Sequence, residues 1–394
     1  MSGSSEKKLN LIILGASGGV ARAMLQLLPE YRKRFASLVL LDKSDSVLHD
    51  RYIDHKALNY EFIHLEFNNA SIQDIIKKFS EKHKTALVFD MTDYPTLPIL
   101  SAADSVGFHY MNCSLNLPEG KSLLHFVEDM EDLAIRFRNG MHVLSTGMNP
   151  GVVNHLIKRG VAEHGIPDEV IEMEYDSAKP RIDSGKPFIT WSKVQFLNEA
   201  IRWDSGHCNS HGIYVETKKN ALNTLVDTKQ YLEPIKDLEQ YPVGMTVAHD
   251  EIIAMCNILK VPGKFVYAIH PDSFNRLHKM VGLNRIVHEE NVVFEDNIVT
   301  PLDGSDFISV WLMYDSKDIC YHVEVEHQNV KGTNATLFMV AIGAIAALID
   351  SLDNPLEKGV YSVLDLNTDN LLKIVSNYMD IKKKEVIKSQ EQRS

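Results

Sequence analysis

The sequence predicts an α/β protein: a doubly wound parallel sheet followed by a second α+β domain with a mixed or antiparallel sheet. Three observations carry this. Short apolar runs alternate with helix-patterned segments from residue 9 to residue 145. A glycine turn directly follows the first of those runs. From residue 152 the texture changes to β-like runs separated by turn signals. Strands alternating with helices imply a parallel sheet covered on both faces.

The first unit reads LNLIILGASGGVARAMLQLLPEYRKRFASLVLLD. Its apolar run ends at Gly15, and Gly18 and Ala21 follow at three-residue spacing. Gly15 suits a tight turn, Gly18 lets the backbone approach a pyrophosphate, and Ala21 lets the next helix lie close on the sheet. That helix begins near Val20, and a second apolar strand closes on Asp42. A carboxylate there would accept hydrogen bonds from an adenosine ribose, which favours NAD over NADP. The unit therefore reads as a Rossmann-type strand–turn–helix–strand; the plainer alternative is a doubly wound sheet whose glycines serve only packing.

Further strands are expected at residues 61–67, 85–90, 108–112 and 141–145, and helices at 71–82, 96–106 and 122–138. Ser71 and Ser122 are candidate N-caps, and Pro98 fits a first helical turn. Ligands in such sheets lie off the carboxyl ends of the strands. The turns at Gly15, Asp42, Asp93, residues 113–116 and 147–151 would therefore surround one crevice. Later, a helix is expected at 152–164. Strands are expected at 170–175, 213–216, 265–269, 292–299, 308–314 and 319–325, a very apolar buried helix at 336–352, and a last helix at 370–379. Residues 381–394 read as a frayed tail. The domain plan is a dinucleotide-binding domain at 1–151, a substrate-binding, catalytic and dimerisation domain at 152–330, and C-terminal helices at 331–394 that pack back on the first.

The chain has 394 residues, 44% hydrophobic and 24% charged, and a formal net charge of −12. That charge argues against nucleic acid, whose phosphates need clustered Lys and Arg. Residues 1–8 have no apolar core, so no signal peptide is expected. The longest apolar run, 337–349, is short of the ~20 residues a bilayer needs, so no membrane partner is expected. The four cysteines stand far apart without a CxxC pair, which fits reduced thiols in a cytoplasm and disfavours a zinc site or a disulfide framework; no metal-spaced cluster is present either, and no metal is expected.

The segment EMEYDSAKPRIDSGKPFITWSKVQFLNEAIRW holds Glu174, Asp176, Trp191 and Glu199. On a helix Trp191 and Glu199 would stand about two turns apart on one side. An indole face attracts a cation, and carboxylates supply charge-assisted hydrogen bonds and proton transfer, as an ammonium or iminium ion requires. The plainer reading is a core Trp and solvated acids. His249 sits at a turn before another helix and is a candidate base. No GxSxG, HExxH or phosphate-loop motif is present, which leaves hydrolases and phosphotransferases without support.

Taken together, GASGGV with LVLLDKSD, STGMNPGVVNHLIKRG, EYD with FITWSKVQFLNEA, AHDE, and YAIHP with TNAT resemble the bacterial homospermidine synthases, in the wider saccharopine-dehydrogenase-like group. The likeness runs from the glycine turn to about Met379. It implies a homodimeric enzyme that uses NAD in a redox-neutral cycle. A diamine such as putrescine is oxidised to an imine, a second amine displaces ammonia, and the same hydride reduces the new imine to homospermidine. By position, Trp191 would steady the iminium, Glu174 and Glu199 would bind ammonium or move protons, and His249 would line the pocket. Asp93, Asn116, Asn149 and Asp176 would contact substrate. Gly15, Ser17, Gly18, Gly19, Val20 and Asp42 would hold NAD, with Thr92, Asp93, Thr146 and Asn149 at the neighbouring strand ends. The family carries a glutamate where this chain has Asn116, and the chain is shorter than the family between residues 152 and 174 and at its C-terminus; both imply an altered amine.

Two other functions fit the same sequence. A net reductive coupling of carboxynorspermidine or saccharopine dehydrogenase type would consume NAD(P)H and want an Arg for a substrate carboxylate, Arg181 or Arg202. A non-catalytic NAD-binding regulator would have no need to keep Glu174, Trp191, Glu199 and His249 together.

Overall fold

The computed structural model describes residues 8–68, 71–116, 126–282, 286–294 and 301–388. They form two compact units, the first of residues 1–121, 128–151 and 340–371 and the second of 122–127, 152–339 and 372–394. The C-terminal region is thus shared between the units. The reason lies in its strands: Gly359–Ser362 extends the sheet of the first unit, whereas Lys382–Ile387 extends that of the second.

The first unit is built on strands β1 (Leu9–Leu14), β2 (Phe35–Asp42), β3 (Glu61–His64), β4 (Ala86–Asp90), β5 (His109–Asn112) and β6 (Met141–Leu144). The sheet order is β3-β2-β1-β4-β5-β6 and then Gly359–Ser362, with every pair parallel. This is a Rossmann-type doubly wound sheet whose order reverses between β1 and β4, the position where such folds take ligands. Residues 11–14 are fully buried, as a central strand covered on both faces must be. Helix Ile72–Lys82 buries Ile72, Ile76 and Phe79, one face at helical spacing. Ser71 precedes it without capping it; its hydroxyl instead accepts from the Asn68 N–H at 2.9 Å. Ser122 lies outside the described residues.

The second unit holds a nine-stranded sheet. Its main path runs Tyr214–Glu216, Gly206–Cys208, Gly263–Ile269, Glu169–Asp176, Ser305–Met313, Lys317–Glu326, Lys382–Ile387. Glu169–Asp176 pairs parallel with Gly263–Ile269 and antiparallel with Ser305–Met313, so the sheet is mixed. Of the residues expected as a frayed tail, 389–394 lie outside the described residues, and Lys382–Ile387 form an edge strand. Its lysines suit an edge, because exposed charge discourages pairing with another chain. The strand expected at 292–299 is described only as Val293–Phe294.

Helix Ala335–Asp353 is long and apolar enough to cross a membrane, with mean hydropathy 2.1, but 83% of its most apolar stretch is buried inside the protein. Its Asp350 is fully buried and accepts from the Asn367 N–H and from the Asn354 and Asn370 amides at 2.7–2.9 Å. Where Gly343 passes the loop after β6, an added Cβ would lie 2.0 Å from the Gly147 carbonyl oxygen. Small size there is what lets the helix lie against that loop.

Candidate functional site

In the first unit the chain leaves β1 through Gly15, whose φ of 76° is in the left-handed region. A Cβ at Gly15 would stand 2.7 Å from the Met91 carbonyl oxygen, and one at Gly18 would stand 3.1 Å from that of Gly15. Glycine is needed at Gly15 both for its conformation and for space. Helix Gly19–Leu27 then starts on Gly18 with no side-chain cap, which leaves the N–H groups at Gly19 and Val20 to the strand-end side. Asp42 accepts from the Ser17 N–H and the Ser44 N–H, each at 2.8 Å. Those bonds fix the carboxylate, and each oxygen keeps a second lone pair for a hydroxyl donor.

The loops after β4, β5 and β6 are tied to one another. Buried Asp90 accepts from the Thr92 N–H and hydroxyl and from the Tyr110 hydroxyl at 2.7–3.0 Å. Burial pushes its carboxyl up to about 6, against those hydrogen bonds. Asn116 donates its amide to the Thr92 carbonyl at 3.0 Å, and its backbone N–H reaches the Thr96 hydroxyl. Thr146 is fully buried and donates its hydroxyl to the Asn112 carbonyl. Thr92, Asn116 and Thr146 therefore brace the loops, while Asp93 stands exposed between them. Asn149 follows on the loop after Thr146, which an isolated bridge between Gly147 and Gly151 closes.

In the second unit, strand Glu169–Asp176 sends Ile171, Met173 and Tyr175 into the hydrophobic core. The alternation puts Glu172, Glu174 and Asp176 on its other face, all buried. Register extends that face, with Phe265 beside Glu172, Tyr267 beside Glu174, and Asp306 beside Asp176. Four buried acids and two aromatic rings thus share one sheet face. Period-two alternation in EMEYD announces the Glu172–Glu174–Asp176 row; Asp306 and Tyr267 come from distant segments and only pairing reveals them.

Trp191 and Glu199 do not share a helix as their spacing predicts. The helix begins only at Lys193 and continues as a π-turn from Asn198 to Arg202. Trp191 precedes it in a bend, and its indole N–H donates to the Tyr267 hydroxyl at 3.0 Å. The Trp191 ring also meets Phe196 edge-on at 5.9 Å, and Tyr267 stacks on Phe265 at 6.0 Å. The next ring along is His249, edge-on to Phe265 at 5.0 Å. His249 Nε2 lies 3.9 Å from a Glu199 oxygen, and its Nδ1 hydrogen-bonds Glu251. Chain folding thus joins Trp191, Glu174, Glu199 and His249 through Tyr267 and Phe265.

The electrostatics of this region divide in two. Burial acts to lower the His249 imidazole, but Glu251, Glu199 and Asp250 outweigh it and raise it to about 10. Burial raises Glu199 to about 7, with His249 opposing. Further along the face, burial together with Glu174 and Asp176 drives the Asp306 carboxyl well above the usual carboxylate range. Asp176 accepts from the Thr190 hydroxyl at 2.5 Å and faces His327 Nε2 at 3.5 Å. His327 Nδ1 accepts from the Ala335 N–H at 3.0 Å, which leaves Nε2 as the proton-bearing nitrogen toward Asp176. Among the described residues, His249, Asp250 and Glu251 are the one group whose ligand-type atoms lie within 4.8 Å of one another.

Arg181 and Arg202 are engaged at the surface, Arg181 with Asp303 at 3.0 Å and Arg202 with Glu289 at 2.8 Å.

No model of a protein family and no curated protein matches the sequence. Among solved structures, the chain is similar to the homospermidine synthase of Legionella pneumophila, determined in complex with NAD. That match has a TM-score of 0.75 at 16% identity over 97% of this chain and 92% of that one. It is also similar to the apo saccharopine dehydrogenase (L-Glu forming) of Saccharomyces cerevisiae, with a TM-score of 0.61 at 12% identity over 96% and 100%. At such identities the likeness establishes that the chain shares the fold of these two enzymes along nearly its whole length.

Proposed function

We propose that the protein is an NAD-dependent enzyme of homospermidine synthase type, which transfers an aminoalkyl group between diamines or polyamines through imine intermediates. The observation that carries this reading is the buried acidic face of Glu172, Glu174, Asp176 and Asp306, with Trp191 and Tyr267 on it and Glu199 nearby. Among the described residues, the basic side chains beside Glu199, Asp176 and Asp306 are histidines. Acids buried together in this way suit a ligand that brings its own positive charges.

The first unit fits a dinucleotide: its turn needs the room that side chains at Gly15 and Gly18 would take, and Asp42 is held with lone pairs to spare for a ribose. Bound NAD would supply a site that accepts a hydride from the amine-bearing carbon and later returns it. Glu174 and Asp176 hold the distal ammonium. Trp191, fixed by Tyr267, lays its ring face to the iminium carbon and nitrogen. Glu199 takes a proton from the attacking ammonium and gives one to the leaving amine, a task suited to an acid poised near neutral pH.

A net reductive coupling is less well supported, because the guanidinium groups of Arg181 and Arg202 are already engaged by Asp303 and Glu289. Incubation with putrescine and substoichiometric NAD, followed by mass analysis of the polyamines, tests the proposal. Homospermidine formed over many turnovers per NAD is expected. NADH oxidation in step with product from a carbonyl compound and a diamine would replace this reading with reductive coupling, and silence across amines and carbonyls would end both.

A further inference from the structure

Behind Glu199 lies a run of buried and half-buried side chains that begins at His249. His249 has Glu199 at 3.9 Å on Nε2 and Glu251 hydrogen-bonded on Nδ1. Glu251 is 1% exposed and Glu172 is 0% exposed. Glu172 is a neighbour of Glu251 on the sheet side. Phe265, the neighbour of Glu172 across the strand pair, packs edge-on to the His249 ring. The imidazole is therefore held by a buried carboxylate on one nitrogen and an aromatic edge beside it, with its other nitrogen aimed at Glu199.

We propose that Glu251 is a positioning residue, which keeps His249 as an imidazolium directed at Glu199, so that Glu199 and not His249 exchanges protons with the substrate amine. This rests on the reading of Glu199 given above. In each exchange an N–H bond of the attacking ammonium breaks, its electron pair stays on nitrogen, and an O–H bond forms on Glu199; the reverse transfer serves the departing amine. His249 keeps its proton throughout. The charged groups facing it are Glu251 and Asp250 from its own helix and Glu199 from the π-turn, with Glu172 reached through Glu251. All are acids, and the elevation of His249 to about 10 agrees with a group that stays charged through the cycle.

The test follows His249 directly, by NMR of the full-length protein with carbon-13-labelled histidine, in the native chain, Glu251→Gln and Glu251→Asp. In the native chain His249 should show no titration between about pH 6 and pH 9. Glu251→Gln should lower its proton affinity at least tenfold, and Glu251→Asp should restore part of it. In the coupled assay, Glu251→Gln should cut kcat by about 10²-fold with a much smaller change in KM for the amine, as loss of alignment predicts. A native His249 already neutral at pH 8, or a titration that Glu251→Gln leaves unmoved, would overturn the proposal. If Glu251→Gln fails to fold, the native titration still decides. If no amine is turned over, the function proposed above falls while the histidine titration continues to test the alignment.

Discussion

Replacing Trp191 by Phe removes two separable things. One is the hydrogen bond from the indole N–H to the Tyr267 hydroxyl, 3.0 Å long, with Tyr267 itself buried. Leaving that hydroxyl without its donor should cost about 1–2 kcal/mol of stability, a fall of roughly 2–4 °C in Tm per kcal/mol. The other is the stronger negative face of indole relative to benzene. For a desolvated cation that difference is about 1 kcal/mol, or roughly fivefold in kcat, and the lost tether brings the total near tenfold. Tyr267→Phe separates the two: it removes the same hydrogen bond and keeps the indole. Its stability loss should match that of Trp191→Phe, the double variant should lose little more than either, and its rate loss should be smaller. Steady-state kinetics and thermal unfolding of the three variants read this out. Equal rate losses in both single variants would show that the ring face does nothing for the intermediate, and additive stability losses would show that the hydrogen bond is not the shared element.

Gly15→Ala places a Cβ 2.7 Å from the Met91 carbonyl oxygen in a left-handed conformation; it should cost more than about 1 kcal/mol and abolish NADH binding by fluorescence titration, with the second unit still folded. Asp42→Ala should leave the Ser17 and Ser44 N–H groups without their acceptor and erase a preference for NAD over NADP, measured as the ratio of the two dissociation constants. Gly343→Ala should lower Tm, since the helix must retreat from the Gly147 carbonyl; the expected cost is about 1–3 kcal/mol. His249 is raised from 6.5 to about 10, so its stabilisation is fully present below about pH 6.5 and fades as pH rises through 10. The stability gap between the native chain and His249→Gln, from urea unfolding, should therefore be large at pH 6 and shrink by pH 10.5.

The parallel sheet was legible because its central strands are short and largely apolar, with β1 running into Gly15 and β2 and β4 ending at Asp42 and Asp90. The strand at residues 382–387 was not, since a lysine-rich edge strand has the composition of a solvated tail. Within the site, Glu174, Trp191, Glu199 and His249 stood out by residue type. Their arrangement did not, because Trp191 lies ahead of the helix, which begins only at Lys193. The supports were invisible for a different reason. Tyr267, Asp306 and Phe265 reach the acidic face through cross-strand register, and Glu251 reaches His249 across the start of a helix. The resemblance points to Asn116 and Thr146 as ligand contacts, and their side chains also hydrogen-bond the neighbouring loops.

The central claim is that one hydride leaves an amine carbon and returns to the same molecule's imine. Putrescine deuterated at both amine-bearing carbons, turned over with substoichiometric NAD in the presence of an added pool of unlabelled NADH, tests it most directly. The account predicts homospermidine that retains all the deuterium at the newly joined carbon, as read by mass spectrometry. Loss of one deuterium there, replaced by hydrogen from an added NADH pool, would contradict it.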